Sequence, residues 1–489
     1  MTKSSPRVLA ISASILTLIL TISLSQSLAQ TKDKADQVPP ETAQPSIAPS
    51  TTQIIKNFRI QALAPFSKDP INAQDETASN TSESGSNNGD PAGNTTGGGS
   101  QIGGKLSSRA ISRDRNAPRR ESLQAIKIVK HLNGLFGGFE QGAGFGFGME
   151  ATTADSIPGV EVYARAMGSL RLYRKAEVGA IVGSEKTKGE VWLSYLRRTQ
   201  DNFFGIGPRT SQLLETNYSI ERRSFNGVFS HKFTDKLDAG IYTSLSNTGS
   251  FRGEDDSNPP IDALFSGNPS VTNLTLFTPG LNSNAKLFSY GVFAELDMRN
   301  NERGLTKGGY FYGRLGSTNG LKNGNAFSDY GWTEAELDGR VYIPVLSDKT
   351  SVALRAYTDL KGPKGGSQIP FYDLSWLGGR TFLRGFENYR FRGNNLLLLS
   401  GEVRQTVYPR GEDKGLDLIV FTDGGQVWGD NRSKINPLIV ANDDFKSANW
   451  RIGAGGGFQY RVNKSTAFRF EIGASNEKTR AYFSLSRGF

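Results

Sequence analysis

From about residue 130 to the C-terminus, apolar and polar residues alternate with a period of two. Over residues 450–462 the even positions are Trp450, Ile452, Ala454, Gly456, Phe458 and Tyr460, and the odd ones are Arg451, Gly453, Gly455, Gly457, Gln459 and Arg461. Over residues 467–474, Phe468, Phe470, Ile472 and Ala474 share one face and Arg469 and Glu471 the other. Residues 288–298 place Phe288, Tyr290, Val292, Ala294, Leu296 and Met298 opposite Ser289, Glu295 and Asp297, with Phe293 out of phase. Successive side chains of a strand point to opposite faces, so each run predicts a strand with one greasy and one mainly polar side. The runs reach about 12 residues, beyond the ~5–6 of soluble sheets. Short turns (232–235, 346–349, 461–464) alternate with long polar loops (249–284, 429–449), the pattern of a membrane β-barrel. About fifteen strands can be marked, and the even number such barrels require makes sixteen the expectation.

Ahead of this region the pattern is absent. Residues 1–29 read as a signal peptide: Lys3 and Arg7, an apolar stretch from Val8 to Leu24, and the small-x-small site Ser27-Leu28-Ala29 before Gln30. Residues 30–125 form a low-complexity linker rich in Thr, Ser, Asn, Pro and Gly, too poor in apolar surface to offset the entropy of ordering and expected to be disordered in the periplasm. Its patch 54–60 is too small for a domain, and Arg109, Arg113, Arg115, Arg119 and Arg120 suit either a solvated linker or contact with anionic headgroups. The barrel is expected over 130–489.

Composition sharpens this. Hydrophobic residues make up only 36%, too few for helical spans of ~20 apolar residues each. A barrel needs only alternate residues to be apolar, and Gly at 57 residues with aromatics at 10% suits one. The chain has no cysteine, which excludes disulfides, thiolate metal sites and lipoprotein acylation, and His131 and His231 read as polar residues near strand ends. The net charge of +10 is scattered among strands without a Lys/Arg block, so lumen and headgroup roles are expected and nucleic acid is not.

A long loop carries Leu377-Gly378-Gly379-Arg380 and then Leu383-Arg384-Gly385-Phe386. Residues 399–404 (Leu-Ser-Gly-Glu-Val-Arg) and Phe421-Thr422-Asp423-Gly424-Gly425 follow. By alternation Ser400, Glu402, Arg404 and Thr406 share the face opposite Leu397, Leu399 and Val403. Asp423 shares its face with Asp417, Ile419, Phe421 and Gly425, opposite Leu416, Leu418 and Val420. An acid facing lipid costs up to several kcal/mol at the midplane, so Glu402 and Asp423 are expected in the lumen.

In that order these segments resemble the bacterial surface antigen superfamily of outer-membrane barrels, the BamA/TamA type. Residues 202–207 (Asn-Phe-Phe-Gly-Ile-Gly) and 296–300 also resemble family positions. The resemblance implies a sixteen-strand barrel, with Leu383-Arg384-Gly385-Phe386 as a lid-loop motif folded into the lumen. It implies an Arg384 latch to the acidic partners Glu402 and Asp423, matched by the planar fork a guanidinium offers to carboxylates. The alternative is that these acids only balance lumen arginines. Phe483, Leu485 and the terminal Phe489 resemble the C-terminal signal read by the barrel assembly machinery.

Most relatives carry periplasmic POTRA modules before the barrel, and residues 30–130 lack the periodicity of even one. No catalytic motif, cofactor or metal cluster is expected. Glu295 and Asp297 share a lumenal face, as barrel charges commonly do. Gly453, Gly455 and Gly457 suggest close packing against the lid loop. The expected function is assembly, protein translocation or lipid transport at the outer membrane, with partners among outer-membrane lipid, lipopolysaccharide, the assembly machinery and a client protein or lipid. A passive porin-like channel or surface receptor is the alternative, and an adhesin using the loops at 249–284 and 429–449 a third.

Overall fold

A computed structural model describes residues 124–485, apart from residues 130, 138–141, 154–158, 269, 272–275, 301–304, 322–329, 346, 411–413, 431–443 and 463–466. The signal peptide, nearly all of the linker and Phe489 lie outside the described residues.

Nineteen strands are described. They are β1 (Gln124–Val129), β2 (Leu132–Gly137), β3 (Gly146–Thr152), β4 (Val160–Ser169), β5 (Arg174–Gly183), β6 (Thr187–Phe203) and β7 (Thr216–Lys232). There follow β8 (Leu237–Arg252), β9 (Asn284–Asp297), β10 (Gly308–Gly320), β11 (Gly331–Pro344), β12 (Thr350–Pro363), β13 (Ser375–Leu377) and β14 (Phe391–Gly393). The last five are β15 (Asn395–Arg410), β16 (Lys414–Trp428), β17 (Arg451–Arg461), β18 (Ala467–Ser475) and β19 (Thr479–Leu485). β13 and β14 pair with each other inside one connection. The remainder form one antiparallel meander: sixteen strands, β2–β12 and β15–β19, make a nearly closed barrel, and β1 lies paired on the edge of β2 as a seventeenth.

The period of two has its physical cause in the two solvents of the wall. Val178, Leu193, Phe229, Val292, Leu315, Leu337, Leu399, Val420 and Ile472 stand on the outer surface, where hydrocarbon accepts them. Every polar backbone group in such a wall must pair with a neighbouring strand, because lipid offers no partner. Inward-facing charges pair along the inner wall, within a strand or between neighbouring strands: Arg314 with Glu336 (3.1 Å), Arg340 with Asp338 (2.6 Å) and Arg461 with Asp417 (2.9 Å). β17 and β18 alternate as expected, with Phe458, Phe468 and Ile472 outside and Gln459, Arg461, Arg469 and Glu471 inside. Phe293, the residue out of phase in β9, turns inward to pack with Tyr310 and Tyr312.

Two expectations change. β6 and β7 each run 17 residues, longer than the reach of about 12 read from alternation. Their outer ends leave the lipid-facing band and bury Phe203, Tyr218 and Ile220 beneath the outer loops, where the period-two pattern no longer applies. The loop at 249–284 is also less polar than it looks. It contributes Ile261, Phe265 and Leu281 to a cap that joins Phe203, Tyr218, Trp332, Ile369, Phe371 and Tyr372. Phe371 lies 5.0 Å from Phe203 and 4.8 Å from Tyr218 between ring centroids, edge to face. Burial, with Asp373 beside it, pushes the Tyr372 phenol well above its usual pKa.

Candidate functional site

The connection from β12 to β15 first adds Phe371 and Tyr372 to the outer cap, then runs down β13, turns, and returns up β14. The turn is tight. Gly378 has φ +119°, and a Cβ there would come within 2.0 Å of the Glu387 carbonyl, so only glycine fits. The Gly379 amide donates to the Phe386 carbonyl and the Leu383 amide to the Gly379 carbonyl, closing the tip on itself. Trp376, Leu377, Phe382, Leu383, Phe386, Tyr389 and Phe391 form the core of this lid. It rests on an apolar patch of the inner wall, Leu396, Leu398 and Val427. Trp376 meets Phe382 and Tyr389 edge to face, with centroids 4.7 and 4.6 Å apart.

Arg384 projects from this tip and is fully enclosed. Its Nε and Nη2 donate to Asp423 Oδ2 and Oδ1 at 2.7 and 2.8 Å, a bidentate pair, and its own backbone amide donates to Oδ2 at 3.1 Å. Nη1 donates to Glu402 Oε2 at 3.1 Å and to Glu471 Oε1 at 2.6 Å. The guanidinium lies over the Phe421 ring, 3.4 Å from its centroid. Glu402 also accepts from Arg404 (2.5 Å) and Arg469 (2.6 Å), and Arg469 donates to Glu471 (2.7 Å). Three guanidiniums thus make ion pairs with three carboxylates, and Arg380 brings a fourth positive charge close to Glu471.

The structure brings Leu383, Arg384, Gly385 and Phe386 together with Glu402 and Asp423. It adds Glu471, Arg469 and Arg404, whose place on the polar faces of their strands was readable but whose convergence on one point was not. The loop backbone is seated as closely as its side chains. A Cβ on Gly453 would stand 1.8 Å from the Arg384 carbonyl oxygen, and one on Gly473 would stand 2.9 Å from the Gly385 amide nitrogen. Gly453 therefore packs against the lid loop, whereas a Cβ on Gly455 or Gly457 would strike β18 backbone instead. Gly385 donates its amide to Tyr482 Oη (2.9 Å) and accepts from Ser475 Oγ (2.9 Å). Glu387 pairs with Arg480. The tip is thereby held to β15, β16, β17, β18 and β19.

The upper lid is tied to the outer loops. Arg390 donates to Glu477 (2.8 Å) and to the Thr210 carbonyl (2.6 Å), and Arg392 to Tyr218 Oη (2.6 Å). The Gly207 amide donates to the Arg392 carbonyl at 2.7 Å, which places the 202–207 segment against the lid. Residues 296–300 lie elsewhere, at the β9–β10 connection, where Arg299 holds Asp297 at 2.8 Å. Phe483 is exposed on the outer surface of β19, and Leu485 is buried.

The sequence matches the Omp85 superfamily domain over residues 189–489. The chain belongs to the Omp85 superfamily. This is a family of outer-membrane transport and assembly barrels, generally non-enzymatic. The Omp85 match begins in β6, so β1–β5 precede it. Among solved structures, the chain is similar to BamA from Haemophilus ducreyi lacking POTRA domains 1–3, at 14% identity and TM-score 0.53, over 78% of this chain and 76% of that one. It is also similar to CdiB from Escherichia coli, at 12% identity and TM-score 0.46, over 75% of this chain and 64% of that one. CdiB from Acinetobacter baumannii matches at 13% identity and TM-score 0.42, over 72% and 57%. A search of curated proteins finds no match.

Proposed function

We propose that this Omp85 barrel moves a polypeptide or lipid client into or across the outer membrane, with the barrel closed at rest. The observation that carries this reading is the double closure of the lumen. The lid core rests on the wall and is latched through Arg384, and the aromatic cap covers the outer mouth above it. A passive diffusion channel needs neither. Among the described residues no ladder joins β19 to β1 or β2. On this reading Arg384, Glu402 and Asp423 act as the latch, and Phe483, Leu485 and Phe489 serve the barrel assembly machinery during biogenesis. Outer-membrane lipid and lipopolysaccharide are the surrounding partners.

Reconstitution into liposomes tests it with two readouts, ion conductance and insertion of a second barrel or flow of labelled lipid. Low resting conductance with accelerated insertion or lipid movement is the expected result. Steady ion conductance without either activity would establish a passive channel instead.

A further inference from the structure

The outward face of the wall is charged on one side and uncharged on the other. On β5 to β9 the lipid-facing band includes Val178, Leu193, Phe225, Leu245 and Phe288. Outward residues recur every second position along a strand. One or two such positions nearer the outer, loop-bearing end, the same five strands carry Arg174, Arg197, Arg223, Asn247 and Lys286. At the outer ends of β17, β18 and β19 the outward residues are Ile452, Ala454, Ala474 and Thr479, none of them charged.

The cations of β5 to β9 stand in register. Arg174 is directly opposite Arg197. Arg197 is opposite Glu221, two residues along β7 from Arg223. Arg223 is opposite Asn247, and Asn247 is opposite Lys286. Neighbouring strands lie ~4.8 Å apart, so the five make a strip about 20 Å wide. Two acids lie within it: Arg223 donates to Glu221 at 2.7 Å and Arg197 to Glu254 at 2.5 Å. Among the described residues, no carboxylate lies within ion-pair distance of Arg174 or Lys286. The strip therefore keeps an excess of positive charge.

Like charges directly opposite on one sheet face repel, so the Arg174–Arg197 pair is stabilised by an anion that bridges it. The strip lies where the apolar band ends, at the level of lipid headgroups rather than of hydrocarbon. A guanidinium there offers phosphate a planar, bidentate pair of donors. The outer end of the wall meets the outer leaflet, where the phosphate-bearing lipid of an outer membrane is a glycolipid.

We propose that Arg174, Arg197, Arg223 and Lys286 form a binding site for the phosphorylated sugar headgroup of an outer-leaflet glycolipid. The phosphates sit among the cations, and the acyl chains lie on the apolar band below them. The site is on the outside of β5 to β9, apart from the lid latch on β15 to β19. It holds whether the barrel moves a client or conducts passively.

The full-length barrel in non-ionic detergent tests this by native mass spectrometry, which counts retained lipid. The probes are lipid A with both phosphates, lipid A stripped of them, phosphatidylglycerol and inorganic phosphate. Phosphorylated lipid A should be retained, and Arg174→Gln with Lys286→Gln should weaken it roughly tenfold or more. That variant breaks no ion pair of the wall. Asn247→Lys sets a further cation between Arg223 and Lys286 and should tighten binding, which keeps the test decisive where the double variant fails to fold. Lys236→Gln with Lys414→Gln removes the same charge from exposed positions at the other end of the barrel and should leave affinity unchanged.

Equal affinity in wild type and the Arg174/Lys286 variant, or no gain from Asn247→Lys, would overturn the site. So would equal retention of stripped lipid A, which would show that the apolar band alone holds the lipid. Phosphatidylglycerol or inorganic phosphate held as tightly as phosphorylated lipid A would overturn the assignment to a glycolipid. An equal loss in the Lys236/Lys414 control would reduce the effect to net charge and overturn it as well.

Discussion

Phe371 and Arg384 lie on one connection and are both buried, yet the two ends of that connection are held by different physics. Around Phe371 the cap is aromatic and aliphatic, and its stabilisation follows buried apolar area with little regard to direction. Around Arg384 every contact is directional: four donors of one residue meet three carboxylates, each fixed on a different strand. A buried ion cluster adds little net stability, because removing the charges from water offsets most of their attraction. What it adds is position. An apolar cap tolerates swaps that conserve volume, whereas the lid tip has one arrangement that satisfies all its charges. The cap is thus suited to staying shut and the tip to being held in one place and released.

The largest effect should come from reversing the charge at the tip. Three ion-paired cations face three anions in the wild type, with Arg380 close by, and Arg384→Glu replaces one of those paired cations with a fourth acid. The lid should leave its seat, with raised conductance in planar bilayers and proteolysis of the loop. Arg384→Ala should cost ~3–5 kcal/mol by breaking a buried pair. The network also says which acid is stranded. Glu402 keeps Arg404 and Arg469, and Glu471 keeps Arg469, whereas Asp423 is held through Arg384. Asp423→Asn should therefore rescue Arg384→Ala in part, and Glu402→Gln should not. Equal rescue by both would show that the acids act as an undifferentiated negative pool.

Breaking the cap should cost as much energy but leave a different signature. Phe371→Ala removes a side chain packed against Phe203, Tyr218 and Tyr372, a loss of ~3–5 kcal/mol for a buried Phe. Proteolysis of the loop at 253–283 on intact cells should increase while the lid tip stays protected. Phe371→Leu should be milder. If Phe371→Ala exposes the tip as fully as Arg384→Glu does, cap and tip are one cooperative unit.

The contrast also accounts for what the sequence revealed. Alternation is a local property imposed by lipid on one side and lumen on the other, so it could assign Glu402, Asp423 and Glu471 to a face of their own strands. It cannot say which strands lie across the lumen from one another, and so Glu471 and Tyr482 were not recognisable as partners of the tip. The link from Arg384 to its acids came from resemblance rather than from pattern. Cap residues such as Phe265 and Leu281 sit in loops without periodicity, where burial depends on loops that meet only in three dimensions. β1 escaped notice because Ala-Ile-Lys-Ile-Val is nearly all apolar over too few residues to show a period.

A backbone seat should matter less than the charges. Gly453→Ala places a methyl where the Arg384 carbonyl stands, 1.8 Å away, and the loop must shift to admit it. Overpacking of this kind costs ~1–3 kcal/mol. Intermittent opening in single-channel records is expected. Gly401→Ala is the control, since its Cβ would find only ordinary contacts at 3.7 Å from Leu354. Matching records for the two variants would show that the loop is not seated on β17.

The smallest change tests whether the tip is coupled to the last strand at all. Tyr482 Oη accepts the Gly385 amide at 2.9 Å and lies 3.4 Å from the Phe386 carbonyl, so one hydroxyl of β19 meets the backbone of the lid motif. Tyr482→Phe keeps the ring and its packing and removes only the hydroxyl, which accepts from the Gly385 amide and donates, over a longer distance, to the Phe386 carbonyl. A single hydrogen bond contributes ~0.5–1.5 kcal/mol, which corresponds to a roughly two- to tenfold rise in the frequency of lid opening. The Arg384 cluster remains intact in this variant, so openings should be brief and the loop should stay resistant to protease. Glu387 and Arg480 form a second tie between the same loop and the same strand, and Arg480→Gln combined with Tyr482→Phe should lengthen the openings. If the double variant opens no more often than wild type, β19 does not sense the lid, and the hold on the loop resides wholly in β15 to β18.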